Sequence, residues 1–504
     1  MRLLSKSKII AFRQCPKRLW LEVHRPELRE DSAGTLTSFQ IGHQVGDIAR
    51  RIYDPDGKGT VIDVKTEGYD RAFARSASLL ADSHQPVFEA GFKAAGGLAF
   101  ADVMLPEIAN GRRMWRMVEV KSSTSPKDYH RDDVAVQTFV AQAAGVPLKS
   151  VAVACIDSSW VYPGDNDYRG LLVETDLTAE TFARSGEVKG WIADAQRLGA
   201  QANEPTIAVG PHCHDPFDCG FCNYCNRDNP RPQYPVDWLP RFSSAKREQL
   251  ATQGTSDLRG VADELLNDQQ RMVKKHALAN TVFFDAAGAA ADLAGHGFPA
   301  YFLDFETIQF AVPIWKGTRP YQQIPFQFSL HSFRLPSQLS QRAFLDLSGN
   351  DPSEPFAKAL IAACGASGPI FVYNAGFETA RISELAERYR KLAGPLLGIS
   401  ARVVDLLPIA RDRYYRASQQ GSWSIKAVLP AVVPELSYEA LAGVKDGEMA
   451  MNAYCEAIRR DTTGGRKSEI EQQLLAYCRL DTFALVRLWQ FFNGRNDQVL
   501  TDTV

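Results

Sequence analysis

The sequence predicts a multidomain α/β protein, and three observations carry that expectation. At 504 residues the chain is longer than one ordinary domain. Strand-like and helix-like apolar patterns alternate over residues 1–225 and again from about 296 to the end. Between them, residues 236–295 read as mostly helical, closing on an Ala-rich run from Ala277 to Leu293. A Pro- and Asn-rich stretch, Asn226–Pro232, marks a boundary. The expected organisation is a domain over 1–230, a helical connector over 231–295 and a second domain over 296–504. No internal repeat or low-complexity tract interrupts it.

Hydrophobic residues at 45% and charged residues at 23% fit a globular protein. The net charge of −2 means that any site for a polyanion must be a local basic surface. No apolar run is long enough to span a membrane, and the N-terminus lacks a signal-peptide core. The expectation is a cytoplasmic protein with no membrane partner, in which thiols stay free.

In the first domain, Asp102 follows the apolar run Leu98–Ala101. Glu119 and Lys121 then share one face of the strand Val118–Lys121. Two carboxylates suit a metal ion, and a lysine beside them can lower a water's pKa or stabilise charge growing on a phosphate. Gln137, on the helix that follows, leans toward the same place, and Glu89 is an additional candidate. The plainer alternative is a pair of strands that merely end in charges.

Cysteine placement is the next signal. Cys213, Cys219, Cys222 and Cys225 form Cys-x5-Cys-x2-Cys-x2-Cys, a density that indicates a metal centre. Zinc would use all four, with His212 or His214 nearby. Cys15 stands alone near the N-terminus. Cys155, Cys364, Cys455 and Cys478 lie in apolar segments and read as small core residues.

In the second domain, Leu303–Thr307 reads as a strand that projects Asp304 and Glu306 together. Adjacent like charges repel and lose hydration unless a cation lies between them, and Mg²⁺ or Mn²⁺ accepts carboxylate oxygens readily. The alternative is an exposed edge strand with solvated acids. Three later segments bear on the choice. Phe371–Glu378 runs from a strand through a turn into a helix beginning near Glu378. Val403–Leu406 is an apolar run carrying Asp405. Leu474–Asp481, continued by Leu485 and Leu488, is a helix with Tyr477 and Asp481 on one face. Thr307 adds a hydroxyl beside the acids.

At these residues the chain resembles the DEDD exonucleases of the DnaQ type, within the RNase H-like superfamily. The Asp-x-Glu strand and the Tyr-x-x-x-Asp helix match that pattern. The turn Asn374-Ala375-Gly376-Phe377-Glu378 matches it with Glu in place of the usual Asp. The resemblance implies Asp304, Glu306, Glu378 and Asp481 as metal ligands or metal-organising residues, with Asp405 in reserve for Glu378. It implies that Tyr477 orients the attacking water, and that two ions about 3.5–4 Å apart serve 3′→5′ hydrolysis.

The set Asp102, Glu119 and Lys121 is similar to the RecB-like branch of the PD-(D/E)XK nucleases, with Asp102 and Glu119 as implied metal ligands. Leu4–Lys8 together with Phe12–Arg18 resembles the opening of that branch's iron–sulfur members. This implies a [4Fe–4S] cluster on Cys15, Cys213, Cys219 and Cys225, with Cys222 spare, closing a loop of about 200 residues. One departure is plain. The branch often has His three residues after a Gly, which here is Val45 after Gly42, while His43 is displaced. The site then relies on Asp102, Glu119 and Lys121.

Residues Trp238–Leu258 are similar to a helix-hairpin-helix element, and a plain helical connector fits them equally. The order of parts resembles a bacterial family of RecB-like nucleases carrying a C-terminal DEDD-type domain. The implied protein cleaves DNA with Mg²⁺ or Mn²⁺ in repair, recombination or defence. An RNA-processing exonuclease and a nucleic-acid-binding scaffold with inactive sites are the alternatives. Basic groups at Lys6, Lys8, Arg13, Lys17 and Arg18, at Arg112, Arg113 and Arg116, and at Arg411, Arg413 and Arg416 suit a phosphate backbone. Tyr414 and Tyr415, interleaved with the last group, suit base stacking. Each group is equally legible as a solvated face.

Overall fold

The computed structural model describes residues 3–109, 111–227, 231–334 and 338–495, so Asp228–Pro230 of the boundary stretch lie outside the described residues. The chain is a mixed α/β protein with several sheets, and it divides into two units. The first comprises residues 1–230 and 310–322, the second 231–309 and 323–504.

The first unit is built on a sheet of β1 (Leu4–Ser5), β2 (Thr60–Val61), β3 (Val87–Ala94), β4 (Gly97–Ala109), β5 (Arg112–Lys121), β6 (Leu148–Ile156) and β7 (Leu172–Asp176). The order is β2-β3-β4-β5-β6-β7, with β1 beside the start of β4. β3, β4 and β5 are consecutive antiparallel strands, whereas β5 and β6 run parallel. A parallel pair needs a crossover, and the helix Asp128–Ala143 provides it. That helix buries Val134, Val136 and Val140 in one core with Trp115, Met117, Val151 and Val153 of the strands. β6 is apolar on both faces from Val151 to Ile156, as a covered central strand requires. Glu89 stands opposite Asp102 in an unbroken register, between the pairs Phe88↔Val103 and Ala90↔Ala101, and its backbone is left-handed at φ 56.

The expected second domain is interrupted. Residues 310–322 group with the first unit, because Ala311 and Val312 bury themselves with Val45, Ile48, Tyr162 and Tyr168. Backbone bonds fasten the segment: Tyr162 N donates to Thr318 O (2.9 Å) and Gly317 N to Tyr162 O (2.8 Å).

The second unit holds a short ribbon of β8 (Val282–Phe284) and the later β14 (Tyr414–Arg416). Its main sheet comprises β9 (Ala300–Ile308), β10 (Ile324–Phe333), β11 (Leu339–Leu345), β12 (Ile370–Val372) and β13 (Val403–Asp405). The order is β11-β10-β9-β12-β13, with β9 antiparallel to β10 and parallel to β12. β9 is thus central, which removes the edge-strand alternative. Phe302, Leu303 and Phe305 are buried, and the long helix Gly464–Phe492 packs against β9 and β10.

Two further expectations change. The Ala-rich run is not one helix: the helix Asp268–Ala279 ends at Asn280 in the left-handed region, β8 follows, and a new helix spans Ala286–Leu293. Thr281–Phe284 is rich in β-branched and aromatic residues, which outweighs the flanking alanines. The region resembling a helix-hairpin-helix holds a single α-helix, Ser244–Thr252, among 3-10 turns. It packs a core of its own from Val236, Leu239, Phe242, Leu250 and Leu258.

Candidate functional site

In the second unit, β9 presents Asp304 and Glu306 on one side, and the helix Gly464–Phe492 brings Asp481 and Tyr477 to them. Ligand atoms of Asp304, Glu306 and Cys478 all lie within 4.8 Å of one another. Glu378 sits in the first turn of the helix Gly376–Arg388 and is buried. Burial pushes the Asp304 carboxyl well above its ordinary value, and Asp481, Glu306 and Glu378 push it further. Glu306 is raised to about 8 by burial and then by Asp481. Glu378 is raised to about 8 by burial and Asp405, and Asp481 to about 7 by burial. Among the described residues no lysine or arginine forms an ion pair with any of these four acids. Buried Asp481 Oδ2 and Glu378 Oε2 have no hydrogen-bond partner.

Such a cluster costs free energy as anions and holds unspent oxygen donors. A hard divalent cation matches both properties, so the donor set fits Mg²⁺ or Mn²⁺. Thr307 is buried beside Glu306.

Asp405 does something else. Its carboxylate accepts from Asn374 N (2.9 Å), Ala375 N (3.1 Å) and Leu407 N (2.9 Å). It thereby fixes the turn, with Asn374 at φ 75, from which the Glu378 helix starts. The reserve candidate is a clamp on that turn, with its oxygens spent on backbone donors.

Three groups at this site have no motif in the sequence. Tyr438 donates its hydroxyl to Asp481 Oδ1 (2.5 Å). Lys426 Nζ lies 5.4 Å from the ring centroids of both Tyr438 and Tyr477, and its charge lowers the pKa of Glu306 and Asp481. Cys478, read from sequence as core, donates toward Asp304 O (3.8 Å) and Oδ2 (3.9 Å). Burial and the three acids push its thiol far up, so it stays protonated. Only its i+3 spacing to Asp481 could have flagged it.

The first unit presents a different arrangement. Glu119 Oε1 accepts from Lys6 Nζ (2.7 Å) and Lys121 Nζ (2.8 Å), and Glu119 Oε2 accepts from Gln137 Nε2 (2.9 Å). Lys121 Nζ also donates to Asp133 Oδ2 (2.6 Å), which lies 3.2 Å from Lys6 Nζ. Asp102 Oδ2 accepts from Val120 N (2.7 Å). Burial alone would raise Glu119, but Lys121 and Lys6 outweigh it and hold the carboxyl well below the usual range. Asp102 moves the other way, raised by burial and then by Glu119 and Glu89. Glu89, opposite Asp102 across the β3–β4 pair, is raised too, by burial and then by Glu119. His43 is exposed and Val45 buried in the core, so neither joins these acids. Lys6 and Asp133 were not legible as site residues.

All five cysteines, Cys15, Cys213, Cys219, Cys222 and Cys225, line one small cavity of about 20 Å³. Cys15 stands between the helices Lys6–Gln14 and Pro16–His24, while Gln14 Nε2 donates to His212 O (2.8 Å) and Phe217 O (2.7 Å). The Cys222 thiol turns to Cys213 O (3.7 Å). Among the described residues, no three of these sulfurs come within 4.8 Å of one another. Tetrahedral zinc, with Zn–S of about 2.3 Å, needs them closer than a cluster of several irons does.

The basic groups are mostly engaged locally. Lys17 pairs with Glu204 (2.7 Å), and Arg13 lies over the Trp191 ring. Arg116 pairs with Glu174, and Arg413 with Asp285 (2.7 Å) and Asp292 (2.9 Å). Tyr414 and Tyr415 are buried in the core of the second unit, with the Tyr414 hydroxyl on Ala431 O (2.9 Å). They offer no surface for stacking bases.

A family model described as a domain of unknown function, DUF2779, matches residues 301–424. The match takes in Asp304, Glu306, Glu378 and Asp405 and stops before Lys426, Tyr438, Tyr477 and Asp481. No curated protein matches the chain.

Proposed function

We propose that the chain is a metal-dependent nuclease hydrolysing DNA phosphodiesters, with its principal site at Asp304, Glu306, Glu378 and Asp481 in an RNase H-like unit acting 3′→5′. The observation that carries this reading is the convergence of four acids raised in pKa, Asp304 half-buried and the other three buried, from three separate segments with no ion-pair partner among the described residues. Asp304, Glu306 and Asp481 would hold Mg²⁺ or Mn²⁺, with Glu378 completing the set. Bound there, the ions would polarise the phosphate and activate water. Tyr438 fixes the orientation of Asp481, Tyr477 stands four residues from it on the same helical face, and Lys426 adds positive charge at the rim.

The first unit is proposed as a RecB-like PD-(D/E)XK nuclease unit with Asp102, Glu119 and Lys121 at its centre and a [4Fe–4S] cluster on Cys15, Cys213, Cys219 and Cys225. One observation favours a second reading for this unit. Glu119 already has both oxygens held by Lys6, Lys121 and Gln137, which suits a unit that binds nucleic acid without cutting it.

Single-stranded DNA and RNA labelled at the 3′ or the 5′ end, with Mg²⁺ or Mn²⁺, test both. Asp304→Asn should lower 3′→5′ shortening by about a thousandfold or more. Lys121→Ala should abolish any cleavage that survives Asp304→Asn, or change nothing if the first unit only binds. Cleavage unaltered in both variants would refute the enzyme reading, and a preference for RNA would move the protein to RNA processing.

A further inference from the structure

The second unit holds an open pocket of about 370 Å³, lined among others by Arg241, Tyr373, Asn374, Arg411, Ser424 and Ile425. Its size falls within the range of pockets that hold small organic ligands. On two sides it is continuous in sequence with the acids. Asn374 opens the turn that leads to Glu378. Ile425 precedes Lys426, whose ammonium acts on Glu306 and Asp481.

Resting on the nuclease reading, we infer that this pocket seats the nucleotide unit of a single strand next to the bond being cut, with its phosphate on Arg241 and Arg411. The charge suits a phosphodiester. Arg241 is exposed, and among the described residues Arg411 pairs only with its sequence neighbour Asp412 (2.8 Å), a weak surface contact that a phosphate can replace. No side chain caps the helix Ile425–Val432, whose first turn lines the pocket, so its partial positive charge is not offset there. Tyr373 supplies a half-buried ring, held by its hydroxyl on Trp423 O (2.6 Å).

The pocket is also rigidly built. Arg241 and Asn374 both have left-handed backbone, at φ 50 and φ 75, which bulky residues adopt only when their surroundings impose it. Arg241 is imposed from both sides. Gln270 Nε2 holds Pro240 O (2.9 Å), and Gly421, at φ 76, lies so close to the Trp238 carbonyl that a Cβ would sit 1.7 Å from its oxygen. The segment expected as a mere connector therefore contributes a wall of the substrate site.

The test is direct binding by the full-length Asp304→Asn protein, followed by fluorescence anisotropy across a salt series. The probes are a short 5′-fluorescein-labelled oligothymidylate and its oligouridylate counterpart. Arg241→Ala and Arg411→Ala should each raise Kd about five- to twentyfold and reduce the salt slope by about one. Arg460→Ala, an exposed arginine of the same unit outside the pocket, should change neither. Loss of affinity for one probe alone would identify that nucleic acid as the ligand. Unaltered Kd and slope in both pocket variants, or equal weakening by Arg460→Ala, would overturn the inference. The two readings fail separately. If the otherwise unaltered protein shortens strands but the pocket variants bind normally, only the pocket falls. If Asp304→Asn still cleaves while the pocket variants bind weakly, only the catalytic assignment falls.

Discussion

The two acidic clusters solve the same electrostatic problem in opposite ways. Around Glu119 and Asp133, two lysines arrive from the N-terminal helix and from β5, and the charges alternate at hydrogen-bond distance. Around Asp304 and Asp481, acids gather with acids, and Lys426 is the cation whose charge acts on Glu306 and Asp481. The first cluster is self-neutralising and stabilises its unit as it stands. The second holds its charge in check by protonation. Counting acids cannot separate the two cases, whereas the partner of each oxygen does.

The largest expected effect sets the clusters against each other in stability. Lys121→Met leaves Glu119 and Asp133 short of a buried partner and should destabilise the first unit by about 3–5 kcal/mol. Glu306→Gln removes a carboxyl whose ionisation the buried site opposes, and above about pH 8 it should stabilise the metal-free second unit. Urea unfolding in chelator, read by probes in each unit, checks both signs. If both substitutions destabilise, the contrast is wrong.

A pH series sharpens it. In metal-free protein Glu306 and Glu378 titrate near 8 and Asp481 near 7, all above their unfolded values. The native state then binds more protons than the unfolded chain. The stabilisation is complete below the unfolded carboxylate range and is lost as pH rises through about 7 and 8. The second unit's Tm should fall by roughly 5–10 °C between pH 5 and pH 8.5 in chelator, and saturating Mn²⁺ should suppress the fall. A flat profile would contradict the cluster. Glu119, held low, has the opposite sign: its contribution is lost only on strong acidification.

The smallest effect concerns Tyr438. Tyr438→Phe removes the hydrogen bond to Asp481 and should cost about 1 kcal/mol in stability. It should also lower 3′→5′ cleavage about tenfold, through kcat more than KM, because it loosens a ligand and leaves the substrate pocket untouched.

Alternation of charged and apolar residues made β9 legible, and helical spacing placed Tyr477 and Asp481 together. Those signals are local. Lys6 lies 113 residues from Glu119, and Tyr438 lies 43 from Asp481. Neither stands in a patterned segment, so nothing in the sequence announced them. Tyr414 and Tyr415 misled for the converse reason. Their interleaving with arginines looks like a binding surface, yet β14 pairs with β8 and both rings turn into the core. Asp405 sits in the right kind of segment and spends its oxygens on backbone donors, a difference that only geometry reveals.

The return of residues 310–322 to the first unit has a consequence for the order in which the protein can be made. During synthesis the first 230 residues leave the ribosome without Ala311 and Val312, which complete the apolar cluster around Tyr162 and Tyr168. That unit cannot finish its own core until the strand bearing Asp304 and Glu306 has also been translated. A protease cut between 240 and 309 would leave each fragment holding a piece that belongs to the other, so neither unit is a portable module.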